Sequence, residues 1–174
     1  PTQSPTISAE TRLFLIQELV KDVFNTTAWQ NPDTPEAQAL AWVALEDEHQ
    51  VDVSDERDRL IQRYILGMIY FSTSGNEWTE TFEFVSSDDE CNWSGAVQCD
   101  ADGKVTHIDL KDNGLTGSLP LVEISKLNHL ESLVVGNNDL SGVIPTVIGE
   151  MTSLTKLDLA KCKLRGSLPD SLFT

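Results

Sequence analysis

The sequence predicts an α/β solenoid of short parallel strands preceded by an α-helical N-terminal region. Three features predict it: a unit that recurs from residue 105 onward, helical periodicity before residue 75, and an aromatic, cysteine-containing stretch between them.

The recurring unit reads Val105-x-x-Ile108-x-Leu110-x-x-Asn113-x-Leu115-x-Gly117-x-Leu119-Pro120 in its first copy. The second runs from Leu130 through Leu133, Val135, Asn138, Leu140 and Gly142 to Ile144-Pro145. The third runs from Leu154 through Leu157, Leu159, Cys162, Leu164 and Gly166 to Leu168-Pro169, so the prolines step by 25 and then 24 residues. The Leu-x-Leu core spells a short strand whose apolar residues point inward while the residues between them face outward. One such unit cannot bury its leucines alone, so the units must stack. Asn113 and Asn138 are expected to turn inward and satisfy backbone groups, since a buried amide is tolerated only when hydrogen-bonded. Cys162 fills the same slot. Gly and Pro let the chain bend onto the convex side, where Pro has no amide for a ladder.

Upstream, residues 1–7 are polar, punctuated by Pro1 and Pro5, and read as a linker. Residues 8–75 read as helical. Ser8 can cap a helix to about Phe24 whose Leu13, Ile16, Leu19, Val20 and Val23 form one apolar stripe. Thr34-Pro35-Glu36 opens a second helix, with Pro at its first position and Glu at the positive end of the dipole. Ser54-Asp55-Glu56 opens a third, with Leu60, Ile61, Tyr64, Ile65, Met68 and Ile69 facing inward and Gly75 as its stop. Residues 76–104 lose the helical period and form the cysteine-containing cap that leads into the repeats of 105–174.

Composition is that of a soluble globular chain, 40% hydrophobic and 23% charged. The longest apolar candidate, 60–71, is broken by Gln62 and Arg63 and is too short to insert in a membrane. The net charge of −16 is lopsided: −14 over residues 1–101 and −2 over 102–174. Such a surface repels phosphate backbones and excludes nucleic acid as a partner. It serves solubility, or offers an acidic face to cations or basic partners. Three cysteines, Cys91, Cys99 and Cys162, lie without histidines at ligand spacing, so no metal site is expected. A pair with one leftover thiol is the simpler reading.

The repeat resembles the plant-specific class of leucine-rich repeats, found in receptor-kinase ectodomains and polygalacturonase-inhibiting proteins. Cys91-Asn92-Trp93-Ser94-Gly95-Ala96-Val97-Gln98-Cys99 resembles that family's N-terminal cap motif, Cys-x-Trp-x-Gly-Val-x-Cys, with one extra residue between the cysteines. Residues 39–42 and 63–78 are similar to the longer helical cap of the repeat proteins abundant in diatoms. The resemblance implies a curved solenoid with a parallel sheet on its concave face and a bridged Cys91–Cys99 pair. It also implies secretion to an extracellular or cell-surface setting, and binding of a protein, peptide or glycan through the concave face. It implies no catalytic residue and no cofactor. The alternative is a structural subunit of an extracellular or luminal assembly, docking through its solenoid edge and acidic helical cap.

The ligand-facing positions are then His107, Asp109 and Lys111 on the first strand, Ser132, Val134 and Gly136 on the second, and Lys156, Asp158 and Ala160 on the third. They make a small mixed-charge patch without the Trp, Tyr or Arg that dominate protein hot spots. Asn25-Thr26-Thr27 and Asn92-Trp93-Ser94 match the N-glycosylation pattern, and Asn25 is the better acceptor because Asn92 lies inside the cysteine loop. His49, His107 and His129 are scattered and read as solvent-exposed rather than catalytic. Asp88-Asp89-Glu90 lacks the spacing of a calcium loop and reads as a solvated run. The chain starts at Pro1 without a leader and breaks off at 170–174 where a fourth unit would begin. A piece of a longer protein is expected, or a neighbouring subunit over that edge.

Overall fold

A computed structural model describes residues 7–47, 49 and 51–173; of the expected linker, residues 1–6 lie outside it. Helix α1 spans Ala9–Phe24, capped by Ser8, whose hydroxyl accepts from the Thr11 amide at 3.2 Å. It ends at Asn25 in the left-handed region, whose N–H closes onto the Lys21 carbonyl. Helix α2, Pro35–Ala41, is capped by Thr34 and continues as a π turn over Trp42–Glu46. Helix α3, Arg57–Ser72, begins three residues after Ser54, which instead folds back onto the Asp52 carboxylate. Nor is Gly75 the stop of α3. The helix ends at Ser72, and Ser74 takes the positive φ of 58°.

These helices converge on one buried guanidinium. Arg63 is fully buried and uses all five of its N–H groups. Two go to the Asp47 carboxylate at 2.7 and 2.8 Å, one to Glu90 at 2.8 Å, and two to the Ser86 and Asp88 carbonyls at 3.0 Å. Its charge also sits 5.2 and 5.5 Å from the Trp42 and Trp93 ring centroids. Glu90, expected in a solvated acidic run, is instead buried, bonded by Arg59, Arg63 and Gln62. Burial pushes its carboxyl upward, but the hydrogen bonds from Arg59, Arg63 and Gln62 outweigh that and hold it below the usual carboxylate range. Arg12 does similar work at the π turn. Its guanidinium donates to the Val43, Ala44 and Val51 carbonyls at 2.8–3.3 Å.

Strand β1 (Val97–Cys99) pairs antiparallel with β2 (Val105–Asp109). Each of the three repeat units then gives one strand to each of two parallel sheets. Strand β3 spans Thr116–Ser118, β4 Ser132–Val134, β5 Asp139–Val143, β6 Lys156–Asp158 and β7 Lys163–Arg165; a short helix α4, Leu121–Ile124, follows β3. The first sheet runs β1-β2-β4-β6, in register His107–Ser132–Lys156 and Asp109–Val134–Asp158. The second runs β3-β5-β7. It corrects the expectation of a merely bent convex side, because the residues ahead of each Pro keep their amides and ladder: the Ile144 N–H, for example, reaches the Arg165 carbonyl at 3.0 Å.

One apolar core runs from Ile16 in α1 to Met151 beyond β5. Gln62 of α3 joins the two halves, its amide oxygen accepting from Val105 N–H at 2.8 Å and its nitrogen donating to the Gly103 carbonyl. The inward asparagines behave as their slot requires. Asn138 Oδ1 accepts from the Asn113 and Leu115 amides, both at 3.0 Å, and Nδ2 donates to Leu110 and Val135 carbonyls, both at 2.8 Å. Leu130, Leu133, Val135 and Leu140 of the second unit are buried, whereas Leu154, Leu157, Leu159 and Leu164 of the third are half-buried. Leu172 packs half-buried against the core; the side chain of Phe173 and all of Thr174 lie outside the described residues.

Two outcomes are expected. Arg63→Met strands two buried carboxylates and should cost about 3–5 kcal/mol in urea unfolding at neutral pH. Because Glu90 titrates lower when folded, its contribution is complete above about pH 4.3 and disappears as pH falls through the folded value. The stability gap between wild type and Glu90→Gln should therefore shrink below that pH. A constant gap from pH 7 to 3 would show that the ionised form is not what stabilises. Second, Asn138→Ala orphans buried amides and should cost about 1–3 kcal/mol. Asn137→Gly, at an exposed neighbour with φ of 60°, should cost little, and equal losses would refute the register.

Candidate binding face and cap

The outward positions of the first sheet fall into three rows, and the middle strand differs from expectation. Ser132, Val134 and Gly136 are buried, and at Gly136 the side chain of Asp158 lies across the backbone. What stays accessible are His107, Asp109 and Lys111 on one side and Lys156, Asp158 and Ala160 on the other. A Cβ at Gly136 would lie 2.6 Å from the Asp158 carboxylate, so only glycine admits that side chain over the middle strand. Asp158 is held in place by the Ala160 N–H at 3.0 Å and faces the Lys111 ammonium at 3.8 Å. Asp109 accepts from the Lys111 amide at 3.2 Å, and the half-buried His107 ring meets the Thr106 hydroxyl at 3.0 Å. His49 is likewise half-buried, not exposed.

Lys111, Asp112, Gly136, Asn137, Asp158, Ala160 and Lys161 line a hollow of about 190 Å³ at the end of these rows. That lies below the ~300–1,000 Å³ typical of small-molecule pockets, and suits one inserted side chain rather than a whole ligand. Lys111, Lys156 and Lys161 with Asp109, Asp112 and Asp158 give this face three charges of each sign, and Lys111 and Asp158 are 3.8 Å apart. The face is thus electrically balanced on a chain of net charge −16. Asp112, Asn137 and Lys161 occupy equivalent positions of successive units, and all three take φ between 55° and 60°. The left-handed turn there aims three polar side chains to the same rim.

Cys91 and Cys99 are bridged, with Cα atoms 5.5 Å apart, and Trp93 inside the loop is fully buried against Trp42 and Phe84. Asn25 is exposed, and so is Asn92, the cysteine loop notwithstanding. Cys162 is a free thiol, half-exposed where burial was expected, its sulfur 3.4 Å from the Val135 carbonyl. Among the described residues no helix is long and apolar enough to cross a membrane.

Residues 129–151 and 153–174 match the Leucine Rich Repeat family. The chain thus carries leucine-rich repeats, and its relatives place them in the plant type. Receptor-like protein kinase 7 of Arabidopsis thaliana is 40% identical over 80 residues, which is 46% of this chain and 8% of that protein. Receptor-like protein 7 of the same plant is 32% identical over 123 residues, 68% of this chain and 12% of its own length. The chain therefore spans only about a tenth of these relatives. Among solved structures, that of a plant ice-binding protein is similar at 25% identity and a TM-score of 0.46, covering 66% of this chain and 44% of that one.

The thiol assignments have a direct check. Alkylation of native protein without reductant should label Cys162 alone; label on Cys91 or Cys99 would overturn the bridge.

Proposed function

We propose that this chain is a non-catalytic, extracellular or cell-surface recognition module. In this reading residues 8–75 and 76–104 form a cap on a solenoid of residues 105–174, which binds a protein, peptide or glycan on its concave face. The observation that carries the reading is the ordered rim of accessible charge, Lys111, Asp158, Lys156 and Asp109, over a buried middle strand. Asp158 is held by the Ala160 N–H and faces Lys111, and a side chain already held in place lowers the entropic cost of binding. Alternating charges discriminate partners more than they raise affinity. The extracellular setting is supported by the Cys91–Cys99 bridge, which persists in oxidising compartments, and by the exposed Asn25 and Asn92 acceptor sites. Relatives named as receptor-like proteins agree with it.

A second reading, a subunit docked in an assembly, has its own support in the half-buried row Leu154, Leu157, Leu159 and Leu164. Further repeats or a neighbouring subunit would cover that edge.

Selection of a displayed random-peptide library against the immobilised chain separates the two. Under the first reading, enriched peptides lose about tenfold or more in affinity on a Lys111→Glu, Lys156→Glu variant, a change of about 1.4 kcal/mol. Peptides that bind both proteins equally would remove the concave face from the argument. Loss on a Leu157→Ser, Leu159→Ser variant instead would transfer the function to the edge.

A further inference from the structure

The helical region carries a second surface, remote in sequence from the repeat rims. An open groove of about 660 Å³ lies among α1, α2, the π turn and the end of α3. Its walls are Leu13, Trp29, Leu40, Leu45, Tyr70 and Phe71, with Ala37 and Ala41 as its floor of small side chains. The wall residue Leu45 is 47% exposed, and Phe14, next to Leu13 on α1, adds apolar surface outside the groove at 59% exposed. Scattered surface leucines mean little, but an apolar trough running into exposed aromatic surface marks an interaction site.

The backbone is shaped to make this trough. A π turn is uncommon and is often found at functional positions. Here it buries Trp42, Val43 and Ala44 and leaves Leu45 and Glu46 at the lip of the groove. The buried Arg12 holds the turn through the Val43 and Ala44 carbonyls. At the other end, Gly75 lies so close to Tyr70 that a Cβ would fall 2.1–2.4 Å from three of its ring carbons. The φ of Gly75 is not positive, so its small size serves to seat the Tyr70 ring in the wall.

Charge identifies the occupant. Among the described residues no lysine, arginine or histidine lines the groove, and the charged residue that does is Glu46. Glu10, four residues before Phe14, and Asp33 and Glu77, adjacent in sequence to the lining residues Pro32 and Asn76, are all exposed. Residues 1–101 as a whole carry −14. An acidic rim around an apolar trough complements a segment with apolar side chains along one face and lysine or arginine beside them. Long basic side chains can also lay their methylene stems on Phe14 and Leu45 while their heads meet the carboxylates.

We propose that this groove docks a basic amphipathic helix of a partner protein. The probe is a synthetic peptide of roughly 15 residues, long enough to hold a helix, with leucines at i, i+3 and i+4 and lysines elsewhere. A twin with glutamate in place of every lysine serves as control. Binding to the full chain is followed by titration calorimetry and by tryptophan emission, for which Trp29 is the reporter because Trp42, Trp78 and Trp93 are buried. The lysine peptide should bind and the glutamate twin should not, at physiological salt. Leu45→Lys and Ala37→Arg should each weaken the lysine peptide about tenfold or more while leaving the melting temperature in place. Two variants on different elements guard against one that merely misfolds. Binding of the lysine peptide undiminished by both variants would mean generic attraction to an acidic surface and would overturn the proposal. So would a self-associated chain that Leu45→Lys makes monomeric, since a second copy would then be the occupant.

Discussion

A single guanidinium organises everything that precedes the repeats. Arg63 draws the end of the π turn through Asp47, the cysteine loop through Glu90, and the preceding loop through the Ser86 and Asp88 carbonyls. A buried ion pair is weak support when one partner can be neutral or when donors are left over. Here no donor is left over, because the five N–H groups meet five acceptors in the planar geometry that only arginine offers. The aromatic cage of Trp42 and Trp93 then excludes the water that would otherwise compete. The helices, the disulfide loop and the edge of the first repeat are thereby fixed relative to one another, with Gln62, one residue away, extending the same network to Val105.

Past that junction the architecture depends on a different device, the asparagine that faces inward in each of the first two units. Asn138 ties its own unit to the preceding one through three hydrogen bonds and makes a fourth to the Val135 carbonyl of its own unit, using both ends of its amide. Asn113 makes the equivalent link to the cap, accepting from the Glu80 amide and donating to the Glu80 carbonyl. The leucines supply burial that any stack of apolar units would give; the asparagines decide which residues face which.

Much of this could be read from residue types. Ser8, Thr34 and Pro35 announce helix starts because capping is local chemistry, and the repeat reveals its strands because Leu-x-Leu alternation has a fixed meaning in space. Arg63 could not be read in that way. A basic residue in an apolar helix looks like a break in the stripe, and its partners lie 16 and 27 residues away. The π turn escaped for a related reason, since Trp42–Glu46 has helical composition and only the distant Arg12 completes the bonding of its carbonyls. On the candidate face, alternation located the outward residues, but not that Asp158 would lie across Gly136 in the middle row. Accessibility depends on the lengths of neighbouring side chains, which alternation does not encode.

The thiol at position 162 has a mechanical consequence. Where Asn138 offers two good donors and an acceptor, Cys162 offers one weak contact to the Val135 carbonyl at 3.4 Å and a longer one to Ala160. The joint between the second and third units therefore lacks the buried amide clamp that Asn138 gives the joint between the first and second. What links the last unit to the second is the pair of ladders β4–β6 and β5–β7 together with surface bonds such as that of the Ser153 hydroxyl to the Asn128 carbonyl. A load along the stack would fall there on these bonds rather than on a buried amide.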